Sequence, residues 1–116
     1  VAGGDAAMSK LEAKVAFDLK ALGLLDQCEQ QYKFHPTRKW LIDFAFPLRR
    51  VALEVNGGTY LQGKARGAHS RGSRQRKDYE KWSCLSLMGW IVLLVDSADV
   101  RSGVHIDLVL KALGKA

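Results

Sequence analysis

Between Trp40 and Asn56 the chain carries two runs of strand-forming residues, Trp40-Leu-Ile-Asp43-Phe-Ala-Phe46 and Val51-Ala-Leu-Glu54-Val-Asn56, joined by Pro47-Leu-Arg-Arg50. A short loop that opens on proline between two such runs predicts a β-hairpin. With Phe46 opposite Val51, antiparallel register sets Ala45 opposite Ala52, Phe44 opposite Leu53 and Asp43 opposite Glu54. Directly opposed residues hold their Cβ atoms roughly 4.5–5.5 Å apart, where like charges destabilise the pair. Two carboxylates so placed call for a cation between them, and the flanking alanines are expected to leave that face open. Strict alternation puts Asp43 with Leu41 and Ala45, and turns Trp40, Ile42, Phe44 and Phe46 to the other face. Glu54 shares its face with Ala52 and Asn56, while Val51, Leu53 and Val55 face the opposite core. Hard oxygen ligands on a small divalent ion, with water in the remaining positions, are the chemistry that fits. The alternative is a carboxylate pair at a solvated sheet end, satisfied by arginines.

A chain of 116 residues forms one domain, spanning 1–116, with residues 1–8 expected to be disordered or a cloning remnant. Its balance, 47% hydrophobic and 26% charged, is that of a soluble globular protein rather than a membrane or disordered one. The longest nearly apolar run, Leu85 to Val95, falls far short of the ~20 residues that span a bilayer. The opening Val1-Ala-Gly-Gly-Asp5 does not read as a signal peptide. Cys28 and Cys84 lie far apart in no metal-binding spacing, as expected of inert thiols in a reducing cytosol. The charge of +6 is concentrated: residues 64–81 hold seven cationic side chains against Asp78 and Glu80, a net of five. A basic stripe of this density points to a polyanion, with nucleic acid the first candidate and a solvated helix face the alternative.

Met8, Leu11, Val15, Leu19 and Leu22 recur at helical spacing, predicting a helix from about Ser9 to Leu22 that stops at Gly23. A strand over Gln30 to Phe34 and the hairpin follow. Asn56 to Gly72 reads as a glycine-rich basic loop. A second helix is predicted from near Ser73 to about Met88, with Tyr79, Trp82, Leu85 and Met88 inward. A strand over Trp90 to Val95 and a helix over Val104 to Leu113 close the chain. A final strand arriving after a helix can lie parallel to its neighbour, so the fold class is α/β with a mixed sheet. Glu12 borders the apolar stripe of the first helix, from where it can lean over the sheet toward the carboxylates. Ser9-Lys-Leu-Glu12 equally fits a capping box, in which Glu12 bonds back to Ser9.

Asp43 and Glu54-x-Asn56 in a hairpin, after a helix carrying Glu12, resemble the PD-(D/E)XK nuclease superfamily. The likeness covers most of the chain in the order αβββαβα, a restriction-endonuclease-like core with a central mixed sheet flanked by helices. It is closest to the small branch related to very-short-patch repair endonucleases, through Ile42-Asp43-Phe44-Ala45, Leu53-Glu54-Val55-Asn56-Gly57-Gly58, His69-x-Arg71, Asp78-x-x-Lys81 and Gly89-Trp90-Ile91-Val92-Leu93. The resemblance implies Mg²⁺ on Asp43 and Glu54, with Mn²⁺ able to substitute and Glu12 as the helix-borne acidic partner. It places His69 and Asp78 at the positions of a histidine and an aspartate that follow the third strand, with Asp78 as a proton relay; His69 can act as general base near neutral pH, or equally be a loop histidine that touches phosphate or solvent. Where the superfamily has a lysine two residues after the glutamate, this chain has Asn56, a neutral amide. Lys81 is the first candidate to supply the missing charge, then Lys64. Gln75-x-x-x-Tyr79 also imitates a helix motif of some nucleases in the superfamily, although Tyr79 is equally explained as core.

The reading that follows is a Mg²⁺-dependent endonuclease in the cytoplasm of a bacterium or phage-infected cell. Lys64, Arg66, Arg71, Arg74, Arg76 and Lys77 are expected on backbone phosphates, which position a substrate without reading its sequence. So small a chain leaves little for a recognition domain, which favours structure-selective or relaxed cutting of duplex, branched or mismatched DNA. Junction resolution would require a twofold homodimer. The rivals are a catalytically degenerate nucleic-acid-binding module, suggested by Asn56, and a protein-interaction domain.

Overall fold

A computed structural model of the chain describes residues 9–56 and 68–115, with side chains outside 68–77. The expected character of residues 1–8 and the predicted phosphate contacts of Lys64 and Arg66 fall outside the described residues. Ser9 opens helix α1, Lys10–Ala21, with its hydroxyl accepting from the Glu12 amide at 3.1 Å while the Glu12 carboxylate accepts from the Ser9 amide at 3.3 Å. This is the capping box, and it satisfies amides that a helix start leaves without partners. The helix ends as predicted at Gly23, whose φ of 73° suits a residue without Cβ. The Gly23 amide donates to the Lys20 carbonyl and the Leu24 amide to the Leu19 carbonyl, a Schellman closure.

A 3₁₀ turn over Leu25–Gln27 leads into β1, Glu29–Lys33, which pairs antiparallel with β2, Leu41–Phe46. The hairpin then returns as β3, Val51–Val55, with Phe46 opposite Val51, Ala45 opposite Ala52 and Phe44 opposite Leu53, the predicted register. Helix α2, Ala68–Leu87, carries the chain to β4, Ile91–Val95, which lies parallel to β3. Two helices follow, α3 over Ser97–Ser102 and α4 over Val104–Ala112. The sheet order is β1-β2-β3-β4, so the architecture is an α/β fold with a four-stranded mixed sheet flanked by helices.

One face of the sheet, with Phe44, Phe46, Val51, Leu53 and Val95, packs on Val15 and Leu19 of α1, Val100 of α3 and Val109 of α4. The other face buries Ile42, Ala45 and Ala52 under Leu85 of α2, with Trp82, Trp90 and Val92 around them. The alanines therefore do not leave that face open, as the sequence suggested. Their small side chains let α2 seat on the sheet, and both are fully buried.

Three further expectations are corrected. Helix α2 starts at Ala68, so the stretch up to Gly72 that reads as glycine-rich loop is helical in its last part. Tyr79 is 55% exposed rather than inward, because α2 presents Lys81 and Leu85 to the sheet. At 100° per residue, a position two before Lys81 points to the opposite side. The sequence reading also passes over α3, although Asp96 and Asp99 form a second capping box there. Gly103, at φ 86°, ends α3 and starts α4.

Candidate active site

The alternation of β2 breaks at Asp43. A regular strand would put Ile42 and Phe44 on one face, yet Ile42 packs under α2 and Phe44 packs against the α1 side. The pairing of β1 with β2 is intact at Gln30–Phe44 and Tyr32–Ile42, and the rung between them, Gln31 with Asp43, is missing. Gln31 has a left-handed backbone, φ 52°. The pleat turns over at this rung, and Asp43 is aimed along the sheet toward β3.

There the ladder between β2 and β3 also gives way. Beyond Phe44–Leu53, backbone pairing is replaced by a reciprocal clasp of side chains. The Asp43 amide donates to Glu54 Oε2 at 3.1 Å, and the Val55 amide donates to Asp43 Oδ2 at 2.8 Å. Each carboxylate thus caps the other strand's backbone, and the predicted pair does stand side by side. Glu54 Oε1 receives the Lys81 ammonium at 2.5 Å, and both residues are buried. Asp43 Oδ1 has one long contact among the described residues, from Gln31 Nε2 at 3.5 Å.

Burial raises the pKa of both carboxyls above the ordinary range. For Asp43 the Val55 amide, the Lys81 charge and the Gln31 contact pull back, and the Asp78 charge pushes further up. For Glu54 the Lys81 charge and hydrogen bond oppose burial, and the Asp43 charge reinforces it. Glu12 is raised too, by burial first and then by Asp43, with its bond to Ser9 opposing. Its carboxylate sits in the capping box, and the Asp43 charge acts on it there. Asp78 likewise lies near enough to act on Asp43.

Of the residues singled out in the sequence, the structure brings Asp43, Glu54 and Lys81 into direct contact, with Glu12 and Asp78 at the margin. The Asn56 amide extends the β3–β4 ladder by donating to the Val95 carbonyl at 2.8 Å. His69 lies in the first turn of α2, and its side chain, with those of Arg71, Arg74, Arg76 and Lys77, is outside the described residues. Gln31 is the neighbour that sequence reasoning missed. Nothing in Glu29-Gln-Gln-Tyr-Lys33 distinguishes one glutamine from the next; only the left-handed backbone does.

Among the described residues no group of three or more His, Cys, Asp or Glu converges to hold a metal ion. The donor set still fits Mg²⁺, which is commonly bound by one or two carboxylates and keeps several waters. Two ionised carboxylates against one ammonium leave these three side chains with a net charge of −1, a potential that favours a cation. Both cysteines are free, and burial, with the Glu29 charge, pushes the Cys28 thiol up to about 12. No helix among the described residues is long and apolar enough to cross a membrane. No family model, curated protein or solved structure matches the chain.

Proposed function

We propose that this protein is a metal-dependent endodeoxyribonuclease with a restriction-endonuclease-like core, and that Asp43, Glu54 and Lys81 form its reactive centre. The observation that carries the reading is the clasp at the end of the β2–β3 hairpin, with a buried lysine delivered onto Glu54 by α2. Lys81 supplies the charge that Asn56 lacks, from a helix rather than from the strand.

Mg²⁺, or Mn²⁺ in its place, would be held by Asp43 and Glu54 and would supply Lewis-acid polarisation of a phosphate and a more acidic water. The backbone clasp fixes both carboxylates in orientation before any ligand arrives, which preorganises the site. Lys81, on Glu54, is placed to stabilise negative charge developing on an attacking oxygen, and its ammonium cannot take a proton until it has lost one. Glu12 and Asp78 add negative potential at the margin, with Glu12 placed to orient a water. The basic residues of 64–77 would bind the DNA backbone, and His69 remains the candidate base.

The rival module without catalysis draws on Asn56, a neutral amide where the superfamily has a lysine. Cleavage of labelled linear duplex, single-stranded, mismatched and four-way-junction DNA by wild type and Asp43→Asn, each with Mg²⁺, Mn²⁺ or EDTA, separates the two. Metal-dependent cutting that Asp43→Asn abolishes is the expected result. Salt-sensitive binding without cutting under any metal would select the binding module.

A further inference from the structure

Gln31 is in a conformation that a β-strand does not ask for. Non-glycine residues with positive φ are uncommon, and such strain gathers where function over-determines the backbone. Among the described residues only Arg50 shares this feature. Arg50 closes the β2–β3 turn, where its guanidinium donates to the Met88 carbonyl at 2.7 Å. Gln31 is in no turn. It interrupts an otherwise continuous β1–β2 pairing at the rung of Asp43, and its half-buried side chain reaches Asp43 Oδ1.

One local distortion thus falls at the rung of Asp43: a left-handed residue, the pair it breaks and a reversal of the pleat in β2. Together they direct Asp43 Oδ2 to the Val55 amide and leave Oδ1 facing the Gln31 carboxamide. We infer that Gln31 is a positioning residue of the carboxylate site, holding Asp43 Oδ1 in the orientation from which it takes up a divalent cation. The inference rests on the metal-dependent reading of that site. Partners one shell out from a metal ligand fix its orientation, and their loss commonly weakens metal binding 10–100-fold. A carboxamide does this without adding a third negative charge beside two carboxylates that burial already disfavours.

Two substitutions test this, with Mn²⁺ titrated calorimetrically and melting followed in EDTA and in Mn²⁺. Gln31→Gly keeps the left-handed backbone at no steric cost and removes the carboxamide. It is expected to fold and melt no lower than wild type in EDTA, and to bind Mn²⁺ about 10-fold or more weakly. Gln31→Glu, nearly isosteric, is expected to melt lower than wild type in EDTA and to regain that loss when Mn²⁺ is added. A residue that merely shapes the strand would give no such metal-dependent recovery. Unchanged Mn²⁺ affinity in Gln31→Gly, or no recovery in Gln31→Glu, overturns the inference while leaving the parent reading intact, provided that Asp43→Asn abolishes Mn²⁺ binding. Wild type that shows no Asp43-dependent Mn²⁺ binding overturns both.

Discussion

Asp43 and Glu54 are held in a site that disfavours their ionised forms, and this has a consequence for stability. Both folded pKa values are raised, by burial above all, so the native state holds protons that the unfolded chain releases at about pH 4. Their contribution to stability is therefore fully present below the unfolded value and is lost as pH rises through the raised folded value. Asp43→Asn removes one of these titrations, and its side-chain oxygen can still accept from Val55. In EDTA it should be more stable than wild type near neutral pH, with the difference closing toward about pH 4. Urea denaturation across that range tests this, and a difference that grows on acidification would contradict the assignment. The Lys81–Glu54 pair makes the opposite demand. Removing one partner of a buried ion pair leaves the other uncompensated, at a cost of about 3–5 kcal/mol. Lys81→Met should lose that much, and the double variant with Glu54→Gln should recover most of it. Strictly additive losses in a double-mutant cycle would show that the two side chains are not coupled.

At the level of elements, the seating of α2 decides the site. Lys81 and Leu85 are one helical turn apart on the face toward the sheet, so the contact that buries Leu85 against Ala45 and Ala52 also brings Lys81 to Glu54. The alanines set how closely the helix approaches. Ala52→Leu would overfill that layer, costing about 1–3 kcal/mol, and would lift the ammonium away from Glu54. The outer side of α2 should matter less: Tyr79→Ser loses a tilted ring contact with Trp82 and is expected to cost no more than about 1.5 kcal/mol. Thermal and urea melts of the two variants check both statements, and a large loss from Tyr79→Ser would mean that the helix presents its other face. The spacing of Tyr79, Trp82, Leu85 and Met88 predicts a helix and sets Tyr79 inward with the other three, whereas Tyr79 is exposed and Lys81 is buried. Burying a lysine on a carboxylate turns the helix away from that prediction.

Across the molecule, the layer behind the sheet is tied together by a polar contact remote from Asp43 in the chain. His105 of α4 is almost fully buried and bonds Asp18 of α1 at 2.8 Å, while Lys14 bonds the same carboxyl at 2.6 Å. Burial alone would raise Asp18, but the hydrogen bonds and charges of Lys14 and His105 outweigh it and hold the carboxyl below its usual range. Asp18 thus contributes stability that is present above the unfolded value of about 4 and is lost as pH falls through the lowered folded value. His105→Ala removes a buried side chain and one partner of Asp18, and should cost about 2–4 kcal/mol at neutral pH. The cost should shrink on acidification, because wild type loses the same interaction there. Denaturant melts at neutral and acid pH measure it, and a cost independent of pH would mean that packing alone accounts for the loss.

The hairpin, its register from Phe46–Val51 to Phe44–Leu53, the end of α1 at Gly23, the order of the main elements and the adjacency of Asp43 and Glu54 are all legible in the order of residues. These rest on local rules: strand alternation, the proline-led loop, a capping serine and a glycine where φ must be positive. Other features arise only when distant segments pack. The reversal of the pleat at Asp43, the conformation of Gln31, the rotation of α2 that buries Lys81 and the joining of Asp18 to His105 each depend on a contact between segments distant in the chain. Local propensity would send Gln31 to an ordinary strand conformation and Lys81 to solvent. Each adopts its observed state because a partner on another element, Asp43 for one and Glu54 for the other, is already held in place by the fold.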